Sequence, residues 1–485
     1  MFAFDNTYAR QLDGLYAASR PDPAPQPRLI ALNLDLADEL GLDAGWLREQ
    51  GHELLSGTRV PEGAEPIAQA YAGHQFGGLS PQLGDGRALL LGELIDRRGQ
   101  RRDLQLKGSG RTPFSRGGDG KAALGPMLRE YVIGEAMHAL GVPTTRALAV
   151  VATGQPVRRE TTLPGAVLAR VAASHLRVGT FEFFAVRKDV ERGRRLLDYA
   201  LDRHYPDADR AQPALSLLAA VRDAQASLIA RWMGVGFVHG VMNTDNVTIS
   251  GETIDYGPCA FLDAHNPSSV FSSIDHGGRY AFGNQPAVMA WNLSRLAIAL
   301  LPLIEGDRDA AVTQAQEALE GFGPAYQRAW QEVLAAKLGL GAPRAGDEGL
   351  LERFSELLAA GKPDHTQCFR QLAAAARGDE APLLALFTDP SSLRAWLPAW
   401  RDRLALEGPP AQRAELMDAV NPLYVPRNHK VEEALTAASE ADDLGPFGAL
   451  LDAVSQPYTE RPGLEAFAEP ASKEFTTCYQ TFCGT

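Results

Sequence analysis

Between residues 84 and 107 apolar and polar positions alternate along GDGRALLLGELIDRRGQRRDLQLKG, interrupted by a charged stretch from Asp96 to Arg102. Period-two alternation on both sides of a polar turn predicts two strands joined as a hairpin. The period then changes. In KAALGPMLREYVIGEAMHALG, positions Leu124, Leu128, Tyr131 and Leu140 fall on one helical stripe that stops at Gly141, which predicts a helix with a glycine C-terminal stop. TRALAVVATG and GAVLARVA read as two further strands. Residues 1 to 80 mix short amphipathic helical patterns, such as LNLDLADELGLD, with the Pro/Gly loops RPDPAPQPR and RVPEGAEP. Beyond about residue 185 the pattern is helical, with one long apolar-striped helix in ALSLLAAVRDAQASLIARWMGVGFVHG and Ala/Leu-rich helices after residue 285. No repeat of solenoid period is present.

This order predicts an α+β chain: a β-rich part with one helix, then a larger helical part, as in the bilobal protein-kinase-like fold. It divides the chain into an N-terminal extension (1–80), a β-rich N-lobe with nucleotide-binding loops (81–184), a helical C-lobe (185–430) and a C-terminal segment with a cysteine-containing tail (431–485). A length of 485 residues suits one large bilobal enzyme with appendages.

Charge narrows the ligands. A net charge of −13 lacks the basic footprint of a general nucleic-acid or membrane-surface binder, so any polyanion must be held by a local cluster of cations. No apolar run approaches the roughly 20 residues that span a bilayer; the nearest, LAIALLPLIEG, closes with Pro302 and Glu305. MFAFDNTYARQLDG has no basic segment followed by an apolar one, so it does not read as a secretory signal, and a cytoplasmic location is expected. Four cysteines, Cys259, Cys368, Cys478 and Cys483, are too few for a disulfide scaffold at this length.

The candidate chemistry centres on HGVMNTDNVTISGETIDYGP, residues 239–258. A kinase catalytic loop has the form H-x-D-x-x-x-x-N and is followed by a metal-binding Asp in a D-F-G-like turn. His239, Asn246 and Asp255-Tyr256-Gly257 occupy those places, whereas Val241 stands where the catalytic Asp belongs. Asn246 and Asp255 are oxygen ligands of the kind Mg2+ or Mn2+ takes, and VTISGETI, with Gly251 at its turn, predicts a hairpin that brings them together. Asp245, adjacent to Asn246, is the candidate general base; Asp263 in FLDAH is the competing one.

Upstream, Gly84 and Gly86 open the first strand as a glycine-rich turn, with Arg87 beside them. Lys107 ends the second strand as the phosphate-pairing Lys of a kinase does, and Glu130, 23 residues on, is its expected partner ahead of Glu135. The loop GSGRTPFSRGGDGK adds Arg111, Arg116 and Lys121, and its many unhindered N–H groups suit phosphate oxygens. Arg170 lies inside an apolar strand and Arg177 just after it. Each requires an anionic partner, either a ligand or a structural carboxylate.

LKGSGRTPFSRGGDGKAALGPMLREY, EAMHALGVPTTRALAV, VLARVAASHLRVGTFEFF, HGVMNTDN and TIDYGP together resemble the signature segments of the selenoprotein O family, and the resemblance covers nearly the whole chain. It implies a kinase-fold protein adenylyltransferase that binds ATP in a flipped orientation and moves AMP to Ser, Thr or Tyr hydroxyls of proteins. It further implies nucleotide contacts from Gly84, Gly86, Arg87, Lys107, Asp119, Gly120, Arg170, Arg177 and Asp255, metal binding by Asn246 and Asp255, and Asp245 as proton acceptor. Uridylylation with UTP and Mn2+, and a silent nucleotide-binding scaffold favoured by Val241, remain the alternatives. Eukaryotic members of the family place selenocysteine third from the C-terminus, where this chain has Cys483; the resemblance leaves open whether Cys483 pairs with Cys259 or stays a free thiol.

Overall fold

The computed structural model describes residues 2–482. Its strands in chain order are β1 (Tyr16–Ala18), β2 (Arg28–Leu32), β3 (Ile67–Gln69), β4 (Gly73–Gln75), β5 (Gly78–Ser80), β6 (Ala88–Ile95), β7 (Arg101–Lys107), β8 (Ala122–Ala123), β9 (Arg146–Arg158), β10 (Thr162–Ala172), and the short pair β11 (Phe237–Val238) and β12 (Ala260–Phe261) within the helical part. Eight of them form one antiparallel sheet in the order β1-β3-β6-β7-β10-β9-β2, with β8 pairing on β10; β4 and β5 form a separate hairpin. The predicted β6–β7 hairpin is present, with Ala88 opposite Lys107. Strands β1, β2 and β3 fall in residues 1–80, where the pattern reads only helices and loops. At three to five residues each, they are too short to display a period.

Both faces of the sheet are buried, which makes its strands read as nearly continuous apolar runs. Leu91, Leu104, Leu106, Leu148, Val151 and Val167 pack against Leu36, Leu40, Leu47 and Leu54 of the short N-terminal helices. Leu90, Val150 and Leu168 join the larger core with the helix Leu124–Ala139. That helix carries more than the single predicted stripe: Met127, Val132, Ile133, Ala136 and Met137 are buried as well. The helices Asn428–Ala441 and Gly445–Ser455 cover its far side, with Phe447 edge-on to Tyr131 at 5.9 Å. Glu130, on this helix, consequently sits in a low-dielectric environment.

The remainder is helical, giving a mixed α/β chain with an antiparallel sheet. The long predicted helix is Pro213–Val235. One sequence expectation needs correction: Phe282–Leu303 is long and apolar enough to cross a membrane by length and composition. Here its main helix, Gln285–Leu300, packs on Pro213–Val235 and Val178–Arg187 with Met289, Leu293, Leu296 and Leu300 buried, so core burial accounts for its composition. A second helical core, built on Phe354, Phe369, Trp396 and Trp400, occupies residues 334–417.

The predicted VTISGETI hairpin is also corrected. Its limbs do not pair with each other: the Val178 N–H donates to Val247 O at 2.9 Å and the Ile249 N–H to Leu176 O at 2.9 Å, while the Thr253 N–H donates to Pro143 O at 2.9 Å. Val247, Ile249 and Ile254 are buried, and each limb finds its backbone partners in the segment it packs against. The turn at Gly251, with φ of 79°, survives and still returns the chain to Asp255.

Candidate active site

A cavity of about 490 Å3 lies between the sheet and the 241–255 segment. Of the residues singled out from sequence, Gly84, Gly86, Arg87, Lys107, Asp119, Gly120, Arg170, Arg177, Asp245, Asn246 and Asp255 all line it. Residues as far apart in sequence as Gly84 and Asp255 are thus brought to one surface. Glu130 stands behind that lining. The Lys107 ammonium donates to Glu130 Oε2 at 2.5 Å and to Asp255 Oδ1 at 2.6 Å. Arg170 donates to Glu130 Oε1 at 2.9 Å and to Gln105 Oε1 at 2.5 Å, so the alternative left open for Arg170 includes a structural carboxylate. Arg177 faces Asp85 at 3.6 Å, donates to His175 O at 3.2 Å and lies 4.3 Å over the Tyr71 ring.

These cations set the carboxylates differently. Burial alone would raise the pKa of Asp255, but Lys107, Arg87 and Arg170 hold it well below the usual carboxylate range, so this residue is ionised. Burial pushes Asp245 up to about 6 against the pull of Arg177. Asp245 belongs to the short 3-10 turn Thr244–Asn246, and its Oδ1 has no hydrogen-bond partner among the described residues. A carboxyl held beside a cavity with an unengaged oxygen can take up a proton there.

Two glycine features shape the walls. A Cβ at Gly84 would lie 2.5 Å from the Phe114 ring and one at Gly86 2.9 Å from Phe114 O, so both glycines allow the 112–116 segment to rest on the strand entry. A Cβ at Gly73 would lie 2.5 Å from Asp245 Oδ1. Gly73→Ala is therefore expected to displace the Asp245 carboxyl and lower the rate of any reaction in which that carboxyl acts by about tenfold or more, with ligand affinity retained. Initial rates beside a binding titration check this.

Other candidates separate cleanly. Asp119 accepts from Arg159 at 3.0 Å and from the Lys121 N–H at 3.0 Å, which closes its loop. Arg111 donates to Gly118 O within the same loop, while Arg116 and Lys121 reach the cavity. Glu135 pairs bidentately with Arg146 at 2.7 and 2.6 Å. Asp263 accepts from Arg427 at 2.8 Å and does not line the cavity. Sequence reasoning missed Tyr71, Gln75, Phe76, Asp85 and Asn243, all of which line it. The clustered YAGHQFGG at 71–78 is the one signal that could have found the first three.

The oxygens available suit a hard cation. Asn246 donates its amide N–H to Val241 O at 3.1 Å, which leaves the amide oxygen as acceptor, and Asp255 engages Lys107 through Oδ1 only. No group of three His, Cys, Asp or Glu side chains forms a metal cluster among the described residues. Two protein oxygens supplemented by phosphates and water are the usual mode for Mg2+.

The family described as Protein adenylyltransferase SelO matches residues 2–455. The chain belongs to the SelO family. Relatives called Protein nucleotidyltransferase YdiU extend the match to full length: one from Cereibacter sphaeroides is 60% identical over 100% of both chains. One from Chromobacterium violaceum is 59% identical over 97% of this chain and 99% of its own, and one from a Mycobacterium species is 58% identical over 100% and 99%. In this SelO-family chain Cys259 is buried, donates to Tyr256 O at 3.3 Å, and has its thiol pushed up to about 12 by burial, which makes it a weak nucleophile. Cys483 lies outside the described residues. The tail reaches this region at Thr481, whose hydroxyl donates to Pro258 O at 2.7 Å.

Proposed function

We propose that this chain transfers AMP from ATP to Ser, Thr or Tyr hydroxyls of proteins and releases pyrophosphate. In this reading the sheet with its helix Leu124–Ala139 and the helical remainder act as the two lobes of a kinase-like arrangement, with ATP between them in a flipped orientation. The carrying observation is that Asp245, not residue 241, supplies a carboxyl at the cavity, while Val241 cannot accept a proton. Asp245 takes the proton of the acceptor hydroxyl, that oxygen forms a bond to the α-phosphorus, and the bond from phosphorus to the pyrophosphate oxygen breaks. Lys107, Arg170 and Arg177 stabilise the charge that develops on the leaving group, and Glu130 holds the first two in place. Mg2+ or Mn2+, held by Asn246 and Asp255, would supply further charge neutralisation at the phosphates.

ATP labelled at the α position is expected to label protein and ATP labelled at γ is not; incorporation from γ alone would identify an ordinary kinase and overturn the reading. The relatives' printed name specifies no base, so UTP with Mn2+ is the second reading, distinguished by competition between the two nucleotides at fixed metal.

A further inference from the structure

The hairpin β4–β5 stands apart from the main sheet, and its contacts run to the turn that carries Asp245 rather than to other strands. Three hydrogen bonds converge on one buried carboxylate and one hydroxyl. The Thr244 hydroxyl donates to Glu182 Oε2 at 2.5 Å and accepts from the His74 N–H at 2.6 Å. His74 Nδ1 meets Glu182 Oε1 at 2.5 Å, and the Phe76 N–H donates to Asn243 Oδ1 at 3.0 Å. The Glu182 side chain is 5% exposed and does not line the cavity, so none of the proton-transfer or phosphate chemistry uses it directly. Yet the elements it ties together carry Gln75, which lines the cavity with Asp245, and Gly73, which makes room for Asp245. Gly179, in the same helix as Glu182, permits this approach: a Cβ there would lie 2.1 Å from Ala72 O.

We propose that Glu182 is a positioning residue for Asp245: through Thr244 and His74 it locks the hairpin onto the 244–246 turn and holds the Asp245 carboxyl at the geometry that receives the acceptor proton. This rests on Asp245 being the proton acceptor of the proposed reaction. A buried carboxylate that accepts from a hydroxyl and an imidazole within hydrogen-bond range leaves little freedom to either donor. Loss of one link frees the turn, and a misplacement of the order of 1 Å suffices to slow a reaction about 100-fold.

The test pairs Thr244→Val, which preserves volume and removes only the hydroxyl, with Thr244→Ser as the rescuing variant and Glu182→Ala as the second disruption. Thr244→Val and Glu182→Ala are expected to lower kcat for protein labelling from α-labelled ATP by about 10- to 100-fold, with ATP affinity within about twofold of wild type, and Thr244→Ser to restore it. Combined with Asp245→Asn, either disruption is expected to add little, because groups acting as one unit are non-additive. Full additivity, or a loss confined to ATP affinity, would overturn the proposal. Amide hydrogen exchange at residues 243–246 serves as an activity-independent reading: it is expected to accelerate in Thr244→Val and recover in Thr244→Ser. Should wild-type protein label nothing from any nucleotide, the function reading fails, and unchanged exchange in Thr244→Val would then overturn the positioning role on its own.

Discussion

Asp245→Asn is expected to lower the rate of nucleotide transfer to protein by about 100- to 10,000-fold, the span for loss of a positioned general base, while ATP binds nearly as before. Asparagine keeps the volume, so the cavity wall is conserved. What it loses is the capacity to accept a proton from the attacking hydroxyl. The cavity cations Lys107, Arg170 and Arg177 are anchored by Glu130, Asp85, Gln105 and backbone and do not depend on Asp245 for their placement. Steady-state labelling with α-labelled ATP, beside a direct ATP titration, separates the two effects. Unchanged labelling by Asp245→Asn would remove this residue from the mechanism; of the other carboxyls that line the cavity among the described residues, Asp119 is paired with Arg159, Asp255 with Lys107, and Asp85 faces Arg177.

Lys107→Met carries the largest expected cost in stability. The ammonium is 7% exposed and bridges Glu130, 5% exposed, to Asp255, 29% exposed. Removing one member of a buried ion network leaves the others uncompensated, at about 3–5 kcal/mol. Two features place this case near the low end: Glu130 retains Arg170, and Asp255 is partly solvated. A loss of about 3 kcal/mol is therefore expected, measured as a lowered denaturant midpoint at unchanged slope. The double variant Lys107→Met with Glu130→Gln should recover part of it, since one of the stranded charges is then neutral. A midpoint within experimental scatter of wild type would mean that the network is hydrated and contributes little. In either background ATP affinity should fall, because the cavity loses a cation and Asp255 loses its strongest partner.

The two experiments read different halves of one arrangement. Asp245 sits on the helical side, where burial favours a neutral carboxyl, and Asp255 sits 10 residues later, where three cations favour an ionised one. Groups whose surroundings push their proton affinities apart are suited to separate tasks. In the proposed reaction that assigns proton uptake to Asp245 and the charge-bearing contact with phosphate and metal to Asp255.

Much of this was legible in the chain because it is local. The alternation in β6 and β7, the stripe from Leu124 to Leu140, the glycines that permit tight turns, and the spacing of Asn246 and Asp255 follow from side-chain period and backbone sterics, which neighbouring residues impose on one another. The Lys107–Glu130 pair was accessible because a strand end and the next helix repeat a known spacing. Other features belong to the assembled molecule. β3 exists only as a partner of the longer β6, and β1 only against β3, and the 247–254 limbs pair outward because Leu176, Val178 and Pro143 arrive beside them. Phe282–Leu303 has the composition of a membrane span until the helices around it are in place. The same holds for the residues that hold Asp245: Gly73, Gln75 and His74 lie about 170 positions upstream, and Glu182 about 60. The amino-acid order by itself determined which groups could do chemistry and the short-range geometry that presents them. Only the tertiary structure decided which carboxyl is left with an unengaged oxygen at the cavity, because burial and long-range hydrogen bonding, the terms that set that difference, have no sequence period.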